Sequence, residues 1–352
     1  MPAYFETGFA VREPSWHRQE TLVLENLILP SDRERAIILA GHDFTLVEVP
    51  SGNVGRIVDP VAHAGNLCRV DGEWRSLDIR PEKKGLYIRQ LRSEGPGPLH
   101  GAYIETVNQT LTTIDNAIGW DVLEAIVGEG ARLDTGMVLH GGKVCLVTAY
   151  LDTPARIDGD DSLTLPYIVC RWAHDGSGAL TARYTSVRVV CANTDNAAAD
   201  ESRRTGREFT FRHTRNVMDR IEDAKLALRG IRADHDAYLE LANELASISV
   251  THEQRELFIT SFLPMPPEAL ISDRVARNVD EARGAVRALF NGPTIPEGHR
   301  FTAYGLRLAG VEYLDHLRGY RNSDTYVGRQ LLRQEPAKIK LAGLIREVLT
   351  EA

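Results

Sequence analysis

"LPYIVCRWAHDGSGALTARYTSVRVVCANT", Leu165 to Thr194, decides the fold. Two runs of β-branched and aromatic residues flank Asp175-Gly176-Ser177-Gly178, and Asp-Gly tolerates the positive φ that a tight hairpin turn demands. A third run of the same kind, "GKVCLVTAYLD" (Gly142 to Asp152), precedes them, so the centre of the chain is predicted to be an antiparallel β-meander. The sequence then turns helical almost to its end. The expected fold class is α+β: a central antiparallel β-meander followed by a helix, with a helical C-terminal third. The regions expected are a mixed N-terminal part with short helices and strands over 1–130, the meander and its helix over 131–232, and helices over 233–352.

The helix after the meander is predicted to start near Thr214, carry Val217, Ile221, Ala224 and Leu228 on one face, and stop at Gly230. Beyond it, "THEQRELFITSFLP" opens with a Thr251-x-x-Gln254 capping box, and Val275, Val279, Ala282, Val286 and Leu289 form one stripe of a further helix. The first 100 residues read as irregular and rich in Gly and Pro. Within them, Ser31-x-x-Glu34 predicts a capped short helix closed by Gly41, and "DFTLVEVP" predicts an edge strand. A helix is expected from Trp120 to Gly130.

With 43% hydrophobic and 26% charged residues, the 352-residue chain has an ordinary globular composition, and disordered or fibrous classes are excluded. Cys68, Cys145, Cys170 and Cys191 are scattered with no C-x-x-C pair, which fits a reducing, cytoplasmic location. The opening residues have no basic flank leading into an apolar core, and no run approaches the roughly 20 apolar residues of a membrane span. No membrane partner is expected.

Catalytic signals are sparse. His174-Asp175 and His42-Asp43 both fall beside turn signals and are read as turn residues. Cys191 with His213 as its base forms an alternative enzyme site for a small substrate, although a cysteine ending "VRVVC" is also ordinary core. Neither "HGG" at His140 nor "GPG" at Gly95 supplies the Gly-Lys-Ser/Thr of a nucleotide loop. No cofactor and no metal are expected.

Charge is more informative. Against a net charge of -8, the window Arg203 to Arg232 holds nine basic and four acidic residues. Its basic half, with Arg203, Arg204, Arg207, Arg212 and Arg215, lies ahead of the predicted helix and into its first turn. Arg171, Arg183 and Arg188 come from the two hairpin strands and complete a candidate groove for a phosphate backbone. Strand parity places Arg183 and Arg188 on opposite faces unless a bulge intervenes. Trp172 and Tyr184 are open to two readings, packing on the sheet or stacking on bases.

"LDTGMVLHGGKVCLVTAYLD" (Leu133 to Asp152), the Leu165 to Thr194 element and "FRHTRNVMDRIEDAKLAL" (Phe211 to Leu228) together resemble domain of unknown function 932, the phage/plasmid-like protein family. The sequence departs from that pattern at Cys145, where tryptophan is common, and at Asp195, where leucine is common and a negative charge now sits beside the candidate groove. The resemblance carries no catalytic residues; it implies a setting in replication, recombination or evasion of a host. In outline, a meander followed by a helix with basic residues at their junction is also similar to ring-forming single-strand annealing proteins, which need neither ATP nor metal. The resulting expectation is a non-enzymatic homo-oligomer that binds single-stranded DNA. The alternatives are the Cys191/His213 enzyme and a host-modulating protein that binds an acidic protein partner.

Overall fold

The computed structural model describes residues 8–11, 23–56, 67–70, 73–127, 131–188, 194–195, 209–211, 221–270, 272–319 and 336–350. In chain order its elements are β1 (Gly8–Ala10), β2 (Val23–Leu24), α1 (Arg33–Ala40), β3 (Thr45–Arg56), β4 (Leu67–Val70), β5 (Glu73–Arg89), β6 (Leu91–Arg92), β7 (Gly95–Pro96), β8 (Tyr103–Asn108) and α2 (Asn116–Val127). The central strands follow: β9 (Ala131–Leu139), β10 (Val144–Leu151), β11 (Thr164–Ala173), β12 (Leu180–Arg188), β13 (Thr194–Asp195) and β14 (Phe209–Phe211). The remaining helices are α3 (Ile221–Ser247), α4 (His252–Phe262), α5 (Asp273–Phe290), α6 (Ala303–Glu312), a π-turn at Tyr313–Leu317, and α7 (Pro336–Thr350). The α+β architecture read from the sequence is the one observed.

The meander β9 to β12 forms the heart of an eight-stranded sheet ordered β13-β12-β11-β10-β9-β1-β2, with β14 also paired to β12. Alternation divides its side chains into two buried layers. The front layer holds Cys145, Val147 and Ala149 from β10, Ile168, Cys170 and Trp172 from β11, and Ala182 and Tyr184 from β12. Helices α2 and α3 lie against these strands, and α1 packs on β1 and β9. The reverse layer is a separate cluster that includes Met137, Leu146, Leu165, Tyr167 and Val169. Because both faces are buried, the strands read as nearly continuous apolar runs.

β9 carries one extra residue. Thr135 opposes Thr148 while Leu133 opposes Ala149, which leaves Asp134 as a bulge. Its carboxylate turns to the reverse face, where it accepts hydrogen bonds from Thr135 Oγ1 (3.0 Å), Tyr167 OH (3.3 Å) and Thr148 Oγ1 (3.4 Å). Those hydroxyls satisfy the oxygens of a fully buried carboxyl group.

A second sheet is built on β5, which pairs with β3 along one edge and with β4 and β8 along the other. These long strands replace the irregular segment expected for the first 100 residues. The turn-forming residues Pro50 and Gly52 flank a register break in β3, where Pro50 pairs with Lys84 but Gly52 with Ile79, so they mark a bulge and not the end of the strand. The inner face of this sheet, Leu86, Ile88 and Ile104, joins the main core. It closes over the β9–β10 turn at Gly142, whose φ of 96° and contact with Ile88 both require a residue without Cβ.

Three helix boundaries differ from expectation. α3 runs through Gly230 to Ser247 as one 27-residue helix. A glycine costs about 1 kcal/mol relative to alanine, and no proline follows to enforce a stop. Burial of Asp234, His235, Tyr238 and Ala242 outweighs that cost. At α1 the Ser31 capping box does not form: Asp32 is the N-cap without a side-chain cap bond, while Ser31 Oγ donates to Ile28 O. Gly41 does close α1 in the left-handed conformation. α2 begins at Asn116, one turn before Trp120. The Thr251/Gln254 capping box forms in both directions.

Asn116, at the start of α2, is a buried hub. Its Nδ2 donates to the carbonyls of His42 (2.8 Å) and Phe44 (3.2 Å), which fixes Oδ1 as the acceptor facing the sheet. That oxygen accepts from Trp172 Nε1 (2.8 Å) and His174 Nε2 (3.0 Å). Nearby, His42 Nδ1 accepts from Trp120 Nε1 (3.2 Å), so the His42 proton resides on Nε2, bonded to Met137 O (2.9 Å). Burial pushes the His42 pKa down to about 4. Gly119 leaves room for the Trp172 indole, which any Cβ there would strike.

Two outcomes are expected. Asn116→Ala strips an acceptor from two buried donors and donors from two carbonyls, and should lower urea-unfolding stability by about 3 kcal/mol or more. Between about pH 6.5 and 4 the unfolded chain protonates His42 while the folded chain does not, so stability falls on acidification, by up to about 3 kcal/mol from this group. His235, lowered in the same direction by burial, adds to the loss. Urea midpoints across that pH range measure it, and a His42→Gln variant should show a shallower dependence.

Candidate nucleic-acid interface

The β11–β12 hairpin turns as its sequence demands. Gly176 has φ 77°, and Asp175 Oδ1 accepts from the Ser177 amide at 2.8 Å. His174 is different from its turn reading. It directly follows β11, with its ring in the core, edge-on to Phe44 at 5.3 Å between centroids. His42 is likewise a core residue, while its neighbour Asp43 accepts from Arg92 Nε (2.6 Å) and Gln90 Nε2 (2.7 Å).

Register settles the hairpin arginines. Arg171 opposes Thr181 and Arg183 opposes Val169, so the two share the reverse face as diagonal neighbours on adjacent strands. Both are partly exposed. The Arg171 guanidinium lies over Gly178, where a side chain would collide with it, and reaches Ser177 Oγ at 3.4 Å. Arg188 takes the register position opposite Thr164, which is of the other parity. Asp195 takes the register position opposite Ser186, on the outer edge of β12. Arg203, Arg204, Arg207, Arg212 and Arg215 lie outside the described residues, as do Cys191 and His213 of the alternative enzyme site.

Trp172 and Tyr184 take the packing reading. Both are buried on the front face; Trp172 is bonded to Asn116, and the Tyr184 hydroxyl to His235 Nδ1 at 2.9 Å. Neither ring is available to a base.

Sequence reasoning missed a cysteine, histidine and asparagine that do meet. Cys145 Sγ lies 3.6 Å from His174 Nε2 and 3.4 Å from Asn116 Oδ1. The arrangement is not a nucleophile and its base. His174 Nε2 must carry a proton to donate to Asn116, so no imidazole lone pair faces the thiol from that nitrogen. Burial also raises the Cys145 pKa well above that of a free thiol, and that of Cys170 to about 12. Among the described residues, no three His, Cys, Asp or Glu side chains gather as a metal site.

It also missed an open surface on the second sheet. On the outer face Val47 pairs with Tyr87, and Tyr87 with Tyr103, across three adjacent strands. The two rings stand 5.4 Å apart at 57°. Exposed Arg89 shares the face two residues beyond Tyr87. The signal was present in "KGLYIRQLR", where Gly85, Tyr87, Arg89 and Leu91 alternate with the inward Leu86 and Ile88.

Comparison with curated proteins and with solved structures gave no match. A family profile described as domain of unknown function (DUF932) matches residues 103–334, which include the meander, the hairpin arginines, Asn116 and Tyr103. With well over half of its length matched, and with the "HDGSG…RVVCANT" element inside that span, the chain belongs to the DUF932 family.

Proposed function

We propose that this protein binds single-stranded nucleic acid, with Arg171 and Arg183 among the residues that neutralise its phosphates. The observation that carries the reading is the placement of those two side chains at diagonal positions on one face of adjacent strands, where Cα atoms are about 7 to 8 Å apart and both guanidiniums can meet the same backbone. Arg188, of opposite parity, does not belong to this pair. Binding of this type needs no reactive side chain, in keeping with Cys145 and Cys170 held as neutral thiols. A net charge of -8 disfavours the polyanion over the rest of the surface and confines it to such local basic positions. The expectation of strand annealing by a homo-oligomer belongs to the same reading, since several copies on one strand would present it for pairing.

The test is a salt titration of the full chain with a fluorescent oligo-dT. Each phosphate contact contributes about 0.7 to the slope of log K against log salt for a single strand. Arg171→Gln and Arg183→Gln should each flatten the slope by about that amount and weaken binding, whereas Arg274→Gln, on the exposed start of α5, should change neither. Binding that is undetectable at low salt, or slopes that all three variants leave alone, overturns the reading. Light scattering on the same mixtures reads how many copies share a strand.

A further inference from the structure

We propose that the outer face of the second sheet is a stacking platform for unpaired bases, a site separate from the hairpin arginines that rests on the single-strand reading above. Apolar side chains on a sheet face are ordinarily covered. Here Val47 (39% exposed), Val49 (42%), Tyr87 (38%) and Tyr103 (48%) are not. Register makes Val47, Tyr87 and Tyr103 one continuous row across β3, β5 and β8. The rings are held in place. Tyr103 OH shares a 2.8 Å hydrogen bond with Thr106 Oγ1, and a Cβ on Gly85 would come within 3.2 Å of Tyr87 Cε2, so the glycine lets that ring lie along the strand. Preorganised rings lose little entropy on binding a flat partner.

Charge selects the occupant. Lys83 and Arg89 share the face on either side of the aromatic row, six residues apart along β5 and so about 20 Å from each other. Lys83 Nζ donates to the neutral Asn108 Oδ1 at 2.7 Å, and among the described residues neither cation is in a salt bridge. The adjoining carboxylates are already engaged, Glu48 by Lys84 at 2.6 Å and Glu105 by Lys143 at 3.2 Å. The surface therefore offers π-faces flanked by two positive charges, which complements bases carried on a phosphate chain. A duplex keeps its bases stacked on one another and cannot offer them to Tyr87 or Tyr103. The ligand is accordingly single-stranded, with bases read by their flat faces and little preference among them.

The experiment measures affinity of the full chain for a fluorescent 20-mer of dT, for the same backbone carrying abasic sites, and for a duplex of equal length, at several salt concentrations. Tyr87→Ala and Tyr103→Ala should each weaken oligo-dT binding by about tenfold, and Tyr87→Phe should retain it. The salt slope should stay as in the unaltered chain, unlike the Arg171 and Arg183 variants. The abasic strand should bind the unaltered chain as weakly as the alanine variants bind dT, and the duplex should bind poorly. Oligo-dT affinity unchanged by both alanine substitutions overturns this inference and leaves the proposed function standing. No binding of any strand by the unaltered chain overturns both. Self-association of the unaltered chain that Tyr87→Ala abolishes, with dT affinity preserved, assigns the face to a second copy and overturns the platform.

Discussion

The fold turns on one amide. Asn116 is the only kind of side chain that could fill its position, because two carbonyls on one side need donors and two ring N–H groups on the other need an acceptor. A carboxylate would face the carbonyls of His42 and Phe44 without a proton to give, and an aliphatic residue would leave every partner unsatisfied in the core. Through this residue the start of α2, the segment that leads into β3 and the end of β11 become one unit. The second sheet hangs from the same place, since β3 begins immediately after Phe44.

Around that hub the polar groups of the core complete one another. Trp120 fixes the His42 tautomer, His42 reaches β9 through Met137 O, and Trp172 rests on Gly119. α1 is docked onto α2 by Arg33, whose guanidinium bridges Asp121 (2.7 Å) and Glu124 (2.8 Å). The consequence for function is spatial. Trp172, His174, Cys145 and Tyr184 are committed to the front core, and both proposed ligand surfaces lie away from it, on the reverse face of the hairpin and the outer face of the second sheet.

Legibility in the sequence followed the scale of the physical signal. The meander and its DGSG turn were plain, because β-branched runs and an Asp-Gly turn are local properties, and the Thr251/Gln254 box is complete within four residues. The long antiparallel pair of β3 and β5 was hidden by its bulge, since Pro50, Gly52 and Gly55 speak locally for turns while their pairing with β5 is decided about thirty residues away. Gly230 misled for a related reason: the residues that hold α3 together pack on a sheet that ends before the helix begins. Parity assigns Arg183 and Arg188 to alternate register positions, but parity alone could not say which face of the sheet was buried. His174 read as a turn residue because its partner, Asn116, lies 58 positions upstream.

The span matched by the family is smaller than the unit that folds. β8 begins at the first matched residue, and its strand partner β5 lies wholly before it. At the other end α7 follows the match, yet it packs on α4 and α6, where Leu341 fills the space that Gly310 leaves open. A buried ion pair, Lys338 to Asp315 at 2.6 Å, ties α7 to the π-turn, and breaking such a pair exposes a buried charge to a core that cannot solvate it. The main hydrophobic core runs without interruption from Phe9 to Val348. A fragment cut to residues 103–334 would therefore leave an unpaired strand edge at β8 and an uncovered groove on α4 and α6, both of which invite aggregation. The same geometry divides the proposed platform, with Tyr103 inside the matched span and Val47, Tyr87 and Arg89 supplied from before it. Whatever the shared domain does, in this chain the surface beside it is built jointly with its N-terminal sheet.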